Sequence, residues 1–255
     1  VGDIVAFLFG LCCGSFLNVC IYRIPRGQSL IHPSSYCPHC KHPISPLENI
    51  PILSYLLLKG RCKWCKVKIS LRYPIVELLT GGLYVMLWQR YGLSPMQLVY
   101  IPLCSVFIVI AFIDLEHYLI PDRLTYPFIL LGLLVSLLRG GITPANSIAG
   151  MLVGGGFIYL LVVVSPYLFG KEGMGLGDVK LVALIGTYLG WKMTIIGLFI
   201  SSVLGSIVGI CLILLKKKGR RDYIPFGPYL VMGAVVMLLM GEKILQEIQR
   251  FISIL

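Results

Sequence analysis

Charge is scarce in this chain. Only 13% of its 255 residues are Asp, Glu, Lys or Arg, and only 11 are acidic, where soluble domains carry about 25% charged residues. With 57% hydrophobic residues and a mean hydropathy of +0.89, an ordinary water-soluble fold is excluded, and lipid is the solvent for most of the chain. No strand followed by GxGxxG and a helix occurs, which excludes the usual dinucleotide-binding unit. The three glycines at 154–156 fall within an apolar run and read as packing residues. Long polar stretches are missing too, apart from residues 23–72.

What is present is a succession of apolar runs. Windows of roughly 17 to 25 apolar residues cross a bilayer as helices. Eight candidates stand out: 2–22, 73–89, 97–113, 124–138, 146–168, 179–190, 193–215 and 228–241. The expected fold class is therefore an all-α polytopic membrane protein of about eight transmembrane helices, with a small insertion between the first two. Residues 1–22 read as a retained span, since no basic segment precedes them and no small-residue cleavage site follows. The chain opens with Val1, so an initiator methionine or a short extension is expected before it. Three pairs, Gly10/Gly14, Gly150/Gly154 and Gly205/Gly209, have the spacing that lets membrane helices approach closely.

The net charge of +11 suggests a polyanionic partner until the positions are considered. Seventeen of the 22 basic residues fall on one side of the predicted topology: nine in 23–72, then Arg123, Lys171, Lys180, Lys216, Lys217, Lys218, Arg220 and Arg221. Arg90, Arg139, Lys192, Lys243 and Arg250 fall on the other. Cytoplasmic loops accumulate Lys and Arg, so the large loops are expected inside and both termini outside. This excess meets anionic lipid, and no nucleic-acid partner is expected.

Residues 23–72 are too few for a conventional core and need a staple. Cys37 and Cys40 in "CPHC", with Cys62 and Cys65 in "CKWC", have nearly the spacing of a four-thiolate zinc ribbon. A cytoplasmic loop disfavours disulfides, so the expected ligand is structural Zn2+, its four-cysteine shell leaving no place for water. His32, His39 and His42 lie nearby, but four cysteines suffice. "IPILSYLLLKG" (50–60) is too short to span, and is expected to pack on the metal module or lie on the membrane surface.

Acids at membrane depth are costly and usually functional. Asp114 ends the third run and Asp178 begins the sixth from the same side, so two carboxylates from different helices are expected at one depth. Two such groups in contact share a proton, which suits aspartic-protease chemistry. Paired carboxylates also line the pathways of transporters. Gly175 and Gly177 are expected to fold the preceding loop tightly. Asp122 follows Pro121 and is expected to cap the next helix, while Glu116 and His117 are expected in solvent. Glu77 is a further acid within a span.

At this point the motifs resemble the bacterial type IV prepilin peptidases, the leader peptidase/N-methyltransferases of the GxGD aspartyl protease group. "GSFLNVCIYRIPRG" (14–27), the two CxxC pairs, "SLRYPIVELLTG" (70–81), "DLEHYLIPDRLT" (114–125), "GMGLGDVKL" (173–181) and "FGPYL" (226–230) come in the family order. The resemblance implies that Asp114 and Asp178 are the catalytic pair, with Gly175, Gly177, Lys180 and Asp122 supporting the site. It further implies leader removal from prepilins or pseudopilins of pili or type II secretion, at the cytoplasmic face of the bacterial inner membrane. S-adenosylmethionine then methylates the new N terminus, with Glu77, Asn18 and Arg23 as candidate substrate- or cofactor-binding residues. Residues 1–22 become the first transmembrane helix, 23–72 a cytoplasmic metal module associated with methyl transfer, and 73–255 the peptidase region. A zinc-ribbon scaffold or a transporter without proteolysis is the alternative.

Overall fold

Backbone N–H and C=O groups in hydrocarbon have only each other as partners, so long apolar runs close into helices. The computed structural model describes residues 1–138, 141–169, 175–216, 219 and 222–254. Arg139, Lys171, Lys217, Lys218, Arg220 and Arg221, used above to orient the chain, lie outside the described residues, as do Gly173 and Met174 of the "GMGLGDVKL" motif. The helices are α1 (Gly2–Arg23), α2 (Leu53–Leu57), α3 (Arg72–Tyr91), α4 (Pro95–His117), α5 (Asp122–Val135), α6 (Pro144–Phe169), α7 (Leu176–Leu214) and α8 (Gly227–Ile254), with a 3-10 turn at Pro46–Asn49. Among the described residues, β-structure is limited to two isolated bridges. The chain is the all-α, membrane-type protein that its composition predicts.

Helix forms at every predicted run, but two of the runs join. Those at 179–190 and 193–215 are separated by only Trp191 and Lys192, too few for a loop, and both lie in α7. The break between them is at Gly190, whose φ of 73° and ψ of 171° are non-helical and strain any residue with a Cβ. In the turn before this break, where carbonyls lose intrahelical partners, the Ser147 hydroxyl donates to the Thr187 carbonyl at 2.7 Å. Five helices, α1, α4, α6, α7 and α8, are long and apolar enough to cross a membrane. Helix α5 has 14 residues, or about 21 Å of rise, and α3 carries Arg72, Glu77 and Arg90 within its 20 residues.

The chain divides into two compact units, Val1–Val109 and Ile110–Leu255, the boundary falling within α4. In the first, α1 packs on α3. A Cβ on Gly10 or Gly14 would sit 2.7 Å from the Cα of Gly81 or Glu77 respectively, so this glycine pair is a helix contact as predicted. In the second unit, α7 packs against α6, α8 and α5. Gly150 of α6 and Gly186 of α7 bring their backbones together. A Cβ on Gly186 would strike the Gly150 carbonyl and lie 2.7 Å from the Met151 nitrogen. Gly205 and Gly209 differ: the first faces the Phe226 ring at 3.3 Å and the second only the tip of Ile224 at 3.6 Å, so this pair joins no backbones.

A backbone contact cannot yield as a side chain can. Gly186→Ala is expected to destabilise the second unit by about 1–3 kcal/mol, seen as a lower Tm in detergent, whereas Gly209→Ala leaves Tm near wild type. Equal Tm values for the two variants would contradict this account of the α6–α7 crossing.

Candidate active site

Asp114 lies in the last turn of α4 and Asp178 in the first turn of α7. Both belong to the second unit. They are 6% and 5% exposed and close enough to interact electrostatically. The structure therefore brings together the two acids that the sequence places at one depth.

Each carboxylate is seated on the start of a helix. The Gly175 N–H donates to Asp178 Oδ2 at 3.1 Å, while the Asp178 N–H donates to the Gly175 carbonyl at 3.1 Å. A helix N-terminus favours negative charge, so Asp178 is well placed on its own helix. Asp114 is not, because a helix C-terminus disfavours a carboxylate. Its partner comes from 113 residues away: the N–H of Gly227, first residue of α8, donates to Asp114 Oδ2 at 2.9 Å. A Cβ on Gly227 would lie 2.7 Å from that oxygen and 3.2 Å from Asp114 Cγ. Gly227 thus belongs to the site, and residue-by-residue reasoning missed it. The available signal was a glycine before Pro228 at the opening of an apolar run, a helix-start pattern.

Among the supporting residues, Asp122 departs from expectation. Asp122 is not a cap. Pro121 takes the N-cap position without a side-chain cap bond, and the Asp122 carboxylate instead pairs with Lys180 Nζ at 2.7 Å, tying α5 to α7. Proline at the cap fixes the extended backbone that starts the helix, which frees the following carboxylate for the lysine. Among the described residues, neither Gly175 nor Gly177 has a positive φ, and the loop before them, 170–174, lies outside the described residues. Gly177 lets the chain pass Ile120, whose Cβ would lie 3.1 Å from an added Cβ, while Gly175 has room for one. Glu116 and His117 are exposed.

The first unit holds the four cysteines. Their sulfurs all lie within 4.8 Å of one another, and the thiols are free. Each pair forms the same turn. The Cys37 and Cys62 N–H groups donate to His42 and Val67 at 2.9 Å, and the Lys41 and Lys66 N–H groups return to the Cys37 and Cys62 carbonyls. Cys37 and Cys65 Sγ are 3.8 Å apart, and a tetrahedral zinc–thiolate shell has sulfur–sulfur edges of about 3.8 Å. The donor set therefore fits a thiolate-preferring ion. The Cys65 N–H, aimed at the Cys62 sulfur, is the main cause that brings this thiol down to about 7. Cys65 accepts the Val67 N–H, yet burial and neighbouring sulfurs push it up to about 11. Among the described residues no histidine joins this group; His42 stacks on Trp64 with ring centroids 4.0 Å apart. Segment 50–60 touches the module through Tyr55, whose hydroxyl donates to the Ile69 carbonyl at 3.4 Å, while Leu53, Leu56 and Leu57 are exposed.

Glu77, Asn18 and Arg23 are also in the first unit, all buried. Glu77 Oε2 accepts the Ile52 N–H at 2.7 Å, holding Ile52 at a φ of 60°, a costly conformation for a β-branched residue. Arg23 donates to the Ser29 carbonyl at 2.9 Å and the Pro33 carbonyl at 2.8 Å. Its guanidinium thereby folds the following loop back onto the end of α1. Asn18 Nδ2 donates to the Gly14 and Tyr73 carbonyls at 3.2 and 3.1 Å.

Residues 8–91 match the bacterial peptidase A24 N-terminal domain, and residues 101–210 match the type IV leader peptidase family. A prepilin leader peptidase/N-methyltransferase of Aeromonas hydrophila is 41% identical over 264 residues, covering 94% of this chain and 91% of its own. Proteins of the same name from Pseudomonas putida and Neisseria gonorrhoeae are each 36% identical, over 94% and 98% of this chain and 91% and 94% of theirs. No solved structure matches. Identity at this level, sustained over nearly the whole of both chains and across both segments, means that the chain belongs to the type IV leader peptidase family.

Proposed function

We propose that this protein cuts the leader from prepilins or pseudopilins with Asp114 and Asp178, then methylates the new N-terminal residue. The observation that carries the reading is the pair of buried carboxylates on α4 and α7, each anchored by a helix-start N–H. The names of its relatives give the substrate class and the second reaction.

Two neighbouring carboxyls hold one proton between them. The ionised member takes a proton from water as the oxygen adds to the scissile carbonyl carbon. The protonated member gives its proton to the carbonyl oxygen, and a tetrahedral diol forms. Protons then return, one to the leaving nitrogen, and the C–N bond breaks. Gly227 and Gly175 keep each carboxylate at its station, and the Lys180–Asp122 pair holds α5 against α7.

Residues 23–72 serve the methyl transfer and 73–255 the cleavage. Cys37, Cys40, Cys62 and Cys65 hold structural zinc, with no open coordination position. S-adenosylmethionine supplies an electrophilic methyl group when bound; Arg23 and Glu77 hold the loop and turn that flank α1 and α3. The excess of basic residues in the large loops supports a site at the cytoplasmic face of the inner membrane, with both termini outside.

Mass spectrometry of a prepilin incubated with purified protein and S-adenosylmethionine tests the reading. The expected product lacks the leader and is one methyl group heavier. Intact substrate from a panel of prepilins would instead support a scaffold or transporter.

Gly227 gives a finer check. Gly227→Ala pushes the Asp114 carboxylate off its anchor, and a misplacement on the order of 1 Å costs roughly 100-fold. Cleavage is expected to fall by about that factor in kcat, with KM nearly unchanged. Gly175→Ala, with room for its methyl group, is expected to stay within a few-fold of wild type.

A further inference from the structure

Helix α1 has 22 residues, about 33 Å of rise, which matches the roughly 30 Å of a bilayer's hydrocarbon. Its last residue, Arg23, therefore marks one boundary of the membrane. Gly14 lies nine residues earlier, about 13 Å inside that boundary. The Glu77 Cα is 2.7 Å from where a Gly14 Cβ would sit, so Glu77 starts from the same depth. Its side chain leans back towards the preceding turn of α3, a return of about 5 Å. There Glu77 Oε2 accepts the Ile52 N–H at 2.7 Å. Ile52, the residue before α2, is thus held about 8 Å inside the end of α1.

Backbone at that depth has no water to bond and must find its partners within the protein. The N–H groups of Ile52, Ser54, Leu56, Leu58, Lys59 and Gly60 all donate to protein acceptors, and Pro51 has no N–H to place. A buried glutamate in α3 acquires a physical reason here, since it supplies the acceptor that the turn before α2 needs.

The two faces of α2 differ. Ser54 donates to the Leu47 carbonyl at 3.0 Å and Tyr55 to that of Ile69 at 3.4 Å, which fixes one side on the cysteine module. Leu53, Leu56 and Leu57 have the i, i+3, i+4 spacing of a single face and are exposed, Leu57 by 73%. Lys59 and Arg61 follow at once and are exposed as well. Residues 24–71 hold seven Lys or Arg against one acid, Glu48, which is itself paired with Lys63 at 2.9 Å. An apolar face followed by cations suits the surface of an anionic bilayer.

We infer that α2 is a lipid anchor for the four-cysteine module. Leu53, Leu56 and Leu57 lie among the acyl chains, and Lys59 and Arg61 meet the phosphates of anionic phospholipid. The height of the module against the membrane is then set by lipid as well as by α1 and α3.

Full-length protein in nanodiscs carrying a phospholipid with a diazirine on its acyl chain tests the inference. Irradiation and peptide mass spectrometry are expected to find label on 53–57, with label around the exposed Phe16 of α1 as the control for insertion. The triple variant Leu53→Gln, Leu56→Gln, Leu57→Gln is expected to lose at least about tenfold of the 53–57 label while α1 keeps its own. Hydrogen exchange at the Leu56 and Leu58 amides, both bonded within this segment, reports whether the variant has kept α2. If it has not, Lys59→Gln with Arg61→Gln carries the test. In wild type, label on 53–57 is expected to be several-fold higher in discs rich in phosphatidylglycerol than in phosphatidylcholine alone, and this double variant is expected to abolish the difference. Label on α1 with none on 53–57 overturns the anchor. Cross-linking of 53–57 to a second copy of the chain, in place of lipid, overturns it in favour of a protein partner. Equal label on wild type in both kinds of disc overturns the anionic preference.

Discussion

Asp114→Asn and Asp178→Asn are each expected to lower the rate of leader cleavage by about 1,000-fold or more, because each removes one half of a proton-exchanging pair. An asparagine cannot accept the proton of the attacking water, and it cannot deliver one to the carbonyl oxygen. Its amide oxygen can still accept the N–H of Gly227 or Gly175, so the helix starts keep their partners and the fold is retained. Stability is expected to equal or exceed wild type, since burying two neighbouring carboxyls is costly and each variant relieves it. Residues that act as a unit are also non-additive. The double variant should therefore be no slower than either single one. Single-turnover cleavage followed by mass spectrometry, with Tm measured beside it, reads all three expectations. Either single variant retaining more than about a tenth of wild-type activity would remove that aspartate from the chemistry.

The second large effect concerns the cysteines. Between residues 24 and 71 the only buried hydrophobic residues are Cys37 and Cys62. A segment of that size with so little core is held by its staple. Structural zinc contributes about 10–16 kcal/mol of binding free energy in small modules, far more than the few apolar contacts here. Chelation, or Cys62→Ser, is expected to release the two turns. Hydrogen exchange at the Cys37, Lys41, Cys62 and Lys66 amides, all bonded within those turns, should accelerate at least about 100-fold. Amides in the middle of α7 should keep their protection, since they depend on helix packing within the other unit. Unchanged exchange in the turns after metal removal would show that protein contacts alone hold them.

How much of this was legible beforehand depends on the range of the interaction. The thiolate cluster could be foreseen because two Cys-x2-Cys turns are local and one tetrahedral ion demands their meeting. The carboxylate pair could be foreseen because membrane depth places the end of one apolar run and the start of another at one level. Asp122 was misassigned since a residue after proline resembles a cap in sequence, and only the arrival of Lys180 from 58 residues away shows where its carboxylate goes. The sequence shows Gly177 only as a glycine ahead of an apolar run, and the proximity of Ile120 to it is a tertiary contact.

By itself, then, the sequence determined the solvent, the helical fold, the clustering of four cysteines and the placing of two acids at helix ends, because hydropathy, short-range spacing and the length of a membrane-crossing run are written along one dimension. The tertiary structure alone decided that α8 begins against Asp114, that two runs join at Gly190, and that the Asp122 carboxylate meets Lys180. Those features come from close approach between segments distant in sequence, where one Cβ or one carbonyl decides what fits.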